Sequence, residues 1–247
     1  MESFVIIRNY SEQDELKCQE LVRDYVMHFA KKSFYAFCFR EITLQFIVIT
    51  WAILFIFLGV PLTFCSLTVP GCIFFIFIAT YCSCYAKAVE LMQTKPNQCL
   101  VAEAYEPFIS RGKISNYRIY INEAPFEQSY KNKFRRKIIG TVSLKNHSAL
   151  YNAGWIYRFA IDPNYSFHKI AEPMLNLITK NCHENGYSSL EVAISEFQED
   201  ERDFYDCMGF ETRQIYHKQI IGNNLTLMKS QLSFDLHREV ATYSKQS

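Results

Sequence analysis

Nine cysteines and six histidines are the side chains of this 247-residue chain best suited to metal or thiolate chemistry. Their spacing does not make a site of them. No Cys-x-x-Cys pair occurs and no histidine stands at ligand spacing from a cysteine pair, so a zinc centre is not expected. The thiols read as reduced, in a cytosol-facing protein. Cys82 and Cys84 stand at the edge of an apolar run, where acylation is one use and contact with lipid the ordinary one. His147 and His183 read as surface histidines. Four Asn-x-Ser/Thr triplets, at Asn9, Asn146, Asn164 and Asn224, would accept glycans on a lumenal domain and stay bare on a cytosolic one. Lys131, Lys133, Arg135, Arg136 and Lys137 form a basic patch, either a solvated loop or a contact for anionic lipid. A net charge of +1 gives no general field for nucleic acid.

These groups sit around an unusual segment. Residues Ile42 to Ala86, 45 in a row, include no Asp, Glu, Lys or Arg. A bilayer needs about 20 apolar residues per helical crossing, so the run is long enough for two. Gly59-Val60-Pro61 and Pro70-Gly71 punctuate its middle. The expected form is a hairpin of helices over about 42–60 and 67–85, either crossing the bilayer twice or entering one leaflet and returning. Lys31, Lys32 and Arg40 precede it, and Lys87 and Lys95 follow. Basic flanks stay cytosolic, so both termini are placed in the cytosol. Residues Met1 to Tyr10 do not read as a signal peptide. The alternative, a buried hairpin in a soluble core, would have to hide the whole run.

The rest is large enough for one domain with a real core. Phe4–Arg8 reads as a strand. Ser11 caps a helix whose first turn carries Glu12, Asp14 and Glu15, where the helix dipole favours acids. After the anchor, Gln98–Tyr105 reads as a strand and 106–136 as a polar loop. Lys137–Leu144 and Trp155–Ile161 alternate as strands do. Ile170, Met174, Leu175, Leu177 and Ile178 recur at helical spacing over 168–184, and Asn185-Gly186 ends that helix. Ser189–Ile194 is a strand and 199–208 a short charged helix closed by Gly209. Strands from Phe210 and over Leu225–Phe234 finish the chain. A strand, a helix and a strand in succession predict parallel pairing of the Trp155 and Ser189 strands. The organisation expected is a first strand and helix in 1–33, a membrane hairpin in 34–90, and the remainder of the same domain in 91–247.

Three segments carry a family resemblance. Phe204-Tyr205-Asp206-Cys207-Met208-Gly209-Phe210 is similar to the Tyr-x-x-x-Gly-Phe end of the fourth helix of GNAT acetyltransferases. Trp155–Pro163 is similar to their central strand, and Lys137-Ile-Ile-Gly-Thr-Val to the strand before it. With the apolar run after the first helix, the chain resembles the camello-like, membrane-bound N-acetyltransferases. The resemblance implies an α+β fold: a GNAT-like mixed central sheet flanked by helices, with the two-helix transmembrane hairpin inserted after the first helix.

The resemblance also implies acetyl-CoA as co-substrate, no metal, and a site. In that family the central strand bulges and parts from its neighbour, so main-chain groups of Phe159, Ala160 and Ile161 would meet the pantetheine arm and the oxyanion. The pyrophosphate sits on free amides at the start of the next helix, here Ser166, Phe167, His168, Lys169, Ile170 and Ala171. Family members carry Arg/Gln-x-x-Gly-x-Gly/Ala there. Ser166 stands in place of Arg or Gln and Lys169 in place of the middle Gly, and Ala171 agrees. Side chains at 167 and 169 crowd a phosphate approaching the backbone. Two readings stay open: charge on Lys169 or His168 compensates, or the domain no longer binds CoA. Tyr205 matches the acid that protonates the departing thiolate, or else it packs beside Phe204 and Phe210. A Glu often stands where this chain has Ala193. Glu191, two residues earlier on the same strand face, is the substitute base, or a solvated strand-end Glu. Arg158 matches a family Arg that pairs with an acid or a substrate carboxylate.

The function implied is a membrane-anchored acetyl-CoA-dependent N-acetyltransferase. It would act on an amino group of a protein or small molecule, at the cytosolic face of the endoplasmic reticulum or a related membrane. The alternatives are a catalytically inactive GNAT-like domain serving as a membrane-bound scaffold, and a two-helix membrane-shaping protein. Its partners would be the lipid bilayer and the amine acceptor, without nucleic acid.

Overall fold

In the computed structural model, the chain builds one eight-stranded mixed sheet with helices on both faces. The structure describes residues 3–94, 98–107, 117–122, 134–221 and 225–236. The strands are β1 (Ser3–Asn9), β2 (Gln98–Pro107), β3 (Tyr117–Ile121), β4 (Phe134–Asn146), β5 (Ala153–Ile161), β6 (Ser189–Ser195), β7 (Glu211–Ile221) and β8 (Leu225–Asp235). They lie in the order β3-β1-β2-β4-β5-β6-β8-β7. The helices are α1 (Glu15–Cys38), α2 (Glu41–Leu58), α3 (Leu62–Cys65), α4 (Thr68–Gln93), α5 (Phe167–Glu184) and α6 (Glu199–Cys207).

Strand alternation assigns the two faces. Leu100, Ala102, Val142, Leu144 and Ile161 join Ile170, Met174 and Ile178 of α5 in the main core. Val101 and Ile138 meet Cys18 of α1, and Ala160 meets Val22 and Tyr25. So α5 covers one face of the sheet, and α1 with its neighbour α4 covers the other. Gly140 permits the close approach of α5. A Cβ there would stand 3.0 Å from the Ala102 Cβ and 3.3 Å from the Met174 sulfur.

The expected parallel pair forms. β5 and β6 are parallel, joined through α5, from Ala153↔Ser189 to Ile156↔Val192. Beyond Ile156 the pairing stops and the strands part. On its other edge β5 carries an extra residue between Tyr157 and Ala160, where the register with β4 shifts. Arg158 stands in this bulge with φ +52°, a left-handed conformation uncommon outside glycine.

Several boundaries differ from the sequence expectation. The 106–136 stretch holds strand β3, which pairs in parallel with β1. Its Tyr117 and Ile119 pack on the main core while Tyr120 packs near Phe4, an alternation too short to stand out in a polar context. α2 stops at Leu58 because Gly59 adopts φ +61° and caps it. Pro70 and Gly71 do not break α4. They fall in its first turn, where a missing N–H is tolerated. α4 then runs past the apolar segment to Gln93, since Ala86–Gln93 packs along α1. Pro173 lies in the second turn of α5, so its missing N–H is not one of the free amides of the first turn.

The segments Glu41–Leu58 and Leu62–Gln93 are long and apolar enough to cross a membrane, and 6% of each apolar window is buried inside the protein. Trp51 Nε1 donates to Thr68 Oγ1 at 2.8 Å, which joins α2 to the start of α4. All nine cysteines are free.

Candidate active site

The parting of β5 from β6 opens a cavity of about 500 Å³. α1 and α4 wall one side and the β7–β8 ribbon another. α6 closes the end with Glu201 and Tyr205.

Glu201 and Tyr205 lie one helical turn apart, so both point from one face of α6. Glu201 is 7% exposed. Tyr25 of α1 donates its hydroxyl to Glu201 Oε1, and Gln198 Nε2 donates to Oε2 at 2.9 Å. Burial pushes the Glu201 carboxyl up to about 7, against these two hydrogen bonds, which hold it down. A carboxylate poised near neutrality at the wall of a cavity suits proton transfer. Tyr205 is 1% exposed. Its ring contacts Phe159 (centroids 6.3 Å apart), Phe204 (5.5 Å) and Phe210 (5.1 Å). Burial first, then Glu201, push its phenol well above the ordinary value, so it holds its proton.

The β5 bulge is gripped from below. The Arg158 guanidinium donates to the carbonyls of Leu91 and Met92 near the end of α4 and stands 3.5 Å from Glu15. These carbonyls have no partner within their own helix. One buried cation thus ties the C-terminal end of α4, beyond the apolar run, to the strand whose bulge shapes the cavity.

The sequence candidates divide. Phe159, Ala160 and Tyr205 line the cavity; Ile161 and residues 166–171 do not. Ile161, Ile170 and Ala171 are core residues. Ser166 is the N-cap of α5, and among the described residues no side chain caps the first amides of that helix. Phe167 stands with its ring 5.7 Å from Phe159 and 5.4 Å from Phe204, bridging β5 and α6. His168 rests against Phe204 at 5.5 Å, and the Lys169 ammonium lies 5.9 Å over the Tyr117 ring.

Glu191 is fully buried, outside the cavity lining and not at a solvated strand end. Arg213 and Gln231 donate to its carboxylate, and His147 Nε2 stands 3.5 Å away. It lies on the paired part of β6, opposite Trp155, before the strands part. His147 is not a surface residue. It lines the cavity, and its Nδ1 accepts the amides of Ala149 and Leu150 at 3.1 Å. His183 is exposed as expected. Two members of the basic patch are in ion pairs, Arg136 with Glu103 (3.0 Å) and Lys137 with Asp162 (2.6 Å). Lys131, Lys133 and Asn224 lie outside the described residues.

Glu201 does not stand out in the sequence. The signal available was its spacing of four from Tyr205, which puts both on one face of a short helix. Its burial depends on Tyr25, far away in the chain.

Among known proteins, residues 97–210 match the model of the Acetyltransferase (GNAT) family. No curated protein matches the chain in sequence. Among solved structures, the chain is similar to an N-acetyltransferase from Staphylococcus aureus Mu50. The two are 10% identical with a TM-score of 0.48, over 94% of this chain and 98% of that one. A probable acetyltransferase from Staphylococcus epidermidis gives 12% identity and a TM-score of 0.45, over 94% and 99%. The ribosomal-protein-S18-alanine N-acetyltransferase from Escherichia coli gives 12% and 0.35. There the match covers 40% of this chain and 63% of that protein, a little under two thirds of its length. With the family match stands a geometry of the expected kind: a bulged strand, a parted parallel pair and a Tyr-x-x-x-Gly-Phe helix end. The family match spans residues 97–210, a little under half of the chain.

Proposed function

We propose that this protein is a membrane-anchored, acetyl-CoA-dependent N-acetyltransferase that acts on an amino group of a protein or small molecule. One observation carries the reading. Glu201 and Tyr205, a near-neutral carboxylate and a protonated phenol, face one cavity at the point where β5 and β6 part. The anchor is the α2–α4 hairpin, with its basic flanks on the cytosolic face of the endoplasmic reticulum or a related membrane. The hairpin and the order of elements favour the camello-like branch.

Acetyl-CoA supplies an acetyl group activated as a thioester. The residues present suit it at two places. Backbone groups of Phe159–Ile161 on the unpaired β6 side are open to the pantetheine arm, and the uncapped amides at Phe167, His168 and Lys169 suit an anion. Glu201 takes the proton shed as the amine nitrogen bonds to the acyl carbon. Backbone N–H groups at the β5 bulge hold the carbonyl oxygen as it gains charge. Tyr205 gives its proton to the sulfur as the carbon–sulfur bond breaks. Glu191 is assigned a positioning role, fixing His147 beneath the cavity.

A second reading rests on Phe167. Its ring bridges Phe159 and Phe204 beside the parted strands, and a ring that stays there favours an inert domain that serves as a membrane-bound scaffold. Calorimetry separates the two. The full chain in detergent micelles is expected to bind acetyl-CoA and desulfo-CoA with micromolar dissociation constants. No binding at millimolar ligand leaves the scaffold.

A further inference from the structure

A group of lysines in the same cavity has no part in the chemistry above. On the β7–β8 ribbon, Tyr216 lies opposite Lys229 and Lys218 opposite Leu227. Directly opposed residues share a face, as do residues two apart. All four therefore face the same way, and all four line the cavity. Lys87 of α4 faces them and pairs with Glu90 at 3.0 Å. Lys218 and Lys229 make no hydrogen bond or ion pair among the described residues. Burial, then Lys87 and Lys218, push the Lys229 amine down to about 8. Three ammonium groups against one carboxylate, with Lys87 and Lys229 half-buried and Lys218 exposed, leave a positive excess, and an anionic ligand would offset the repulsion.

A second feature lies further along α4. Thr80 is 3% exposed and lines the cavity, and its Oγ1 is buried without a hydrogen-bond partner among the described residues. A buried hydroxyl without a partner has given up its hydrogen bonds to water and gained none in return, so a ligand oxygen there is favoured. Thr80 belongs to the uncharged run Ile42–Ala86. The cavity follows α4 from Thr80 to Thr94, about 20 Å at 1.5 Å per residue. Its ends differ. Glu201 and Tyr25 mark one, near Leu91; Thr80 and Phe37 mark the other, where the helix enters its apolar stretch. Lys87 stands about one turn from Leu91 and about two from Thr80.

We infer that Lys87, Lys218 and Lys229 form an anion subsite for the phosphate of an amine-bearing membrane lipid of the phosphoethanolamine type. Thr80 meets the glycerol-ester oxygens on the bilayer side, and the primary amine, one two-carbon spacer away, faces Glu201 and Tyr205. This deepens the acetyl-transfer reading and rests on it for the fate of the amine, but not for binding. A soluble amine with its own anion would use the lysines and leave Thr80 and the membrane end of the cavity without a role.

The test measures binding without acetyl-CoA. The full chain in detergent is titrated with dihexanoyl-phosphatidylethanolamine below its micelle concentration, followed by the fluorescence of Trp155, which lines the cavity, in a Trp51→Phe background. The lipid is expected to bind at least tenfold tighter than free phosphoethanolamine, with dihexanoylglycerol failing to saturate. Lys218→Gln with Lys229→Gln should weaken the lipid tenfold or more while leaving acetyl-CoA calorimetry unchanged. The Lys218→Arg/Lys229→Arg pair should restore it and so exclude misfolding. Thr80→Val should weaken the lipid severalfold and phosphoethanolamine not at all. Equal binding to the Gln pair, free phosphoethanolamine as tight as the lipid, or no lipid binding at millimolar concentration would each overturn the inference. If lipid binds and acetyl-CoA does not, the subsite stands and the enzyme reading falls.

Discussion

Glu201→Gln is expected to lower acetyl transfer by about 10²- to 10⁴-fold, the usual contribution of a positioned base. Gln keeps the shape and its Oε1 still accepts from Tyr25, with the Gln198 hydrogen bond to Oε2 given up, so the cavity survives while its proton acceptor is lost. In the wild type, kcat/KM should rise with pH through about 7, the value to which burial lifts this carboxyl. The variant should lose that limb. Stability moves the other way. The unfolded chain releases this proton near the ordinary carboxylate value, and the folded chain holds it until about 7. The folded state therefore binds more protons between those values, and stability falls as pH rises through the window. At 1.36 kcal/mol per unit the fall totals about 3 kcal/mol, and Gln removes it. At pH 8 the variant should melt several degrees above the wild type. A variant as active as the wild type, or one that melts lower at pH 8, contradicts the assignment.

Tyr205→Phe is the second large effect. The hydroxyl has no protein partner among the described residues, and the ring lies among Phe159, Phe204 and Phe210, where Phe fits the same space. The fold should therefore hold. Without the phenolic proton the departing sulfur leaves as an unassisted thiolate, and kcat should drop by about 10²-fold. Affinity for desulfo-CoA should stay within twofold, since the ring and the cavity wall are unchanged. Unchanged kcat removes Tyr205 from the chemistry. Weakened CoA binding alongside lower kcat makes it a packing residue.

Much of this architecture is legible in residue order. The apolar run, the alternation of Trp155–Ile161 and the helical spacing of Ile170–Ile178 are local patterns: the first becomes two long apolar helices, the others the expected strand and helix. The parallel pair follows from connectivity alone. What escaped depends on distant partners. β3 is five residues in a polar stretch, and its pairing with β1 joins segments more than a hundred residues apart. α4 overruns the apolar segment because α1 and Arg158 hold its last turns. Glu191 looks free on a strand end, but Arg213 and Gln231 from later strands enclose it. Glu201 is one acid among several in Glu199–Cys207. Only Tyr25, brought across by α1, singles it out. Phe167 is legible as an obstacle to phosphate but not as a ring that bridges two elements.

Hydrogen exchange on the full chain, with and without saturating desulfo-CoA, tests the account most directly because it reports where the ligand sits. The amides of Tyr157–Ile161 on the unpaired edge of β5 and those at the start of α5 should slow together, with Glu199–Cys207 protected to a lesser degree. Protection confined to the surface, or none at either segment while the ligand is in excess, would contradict an acyl-transfer site between the parted strands.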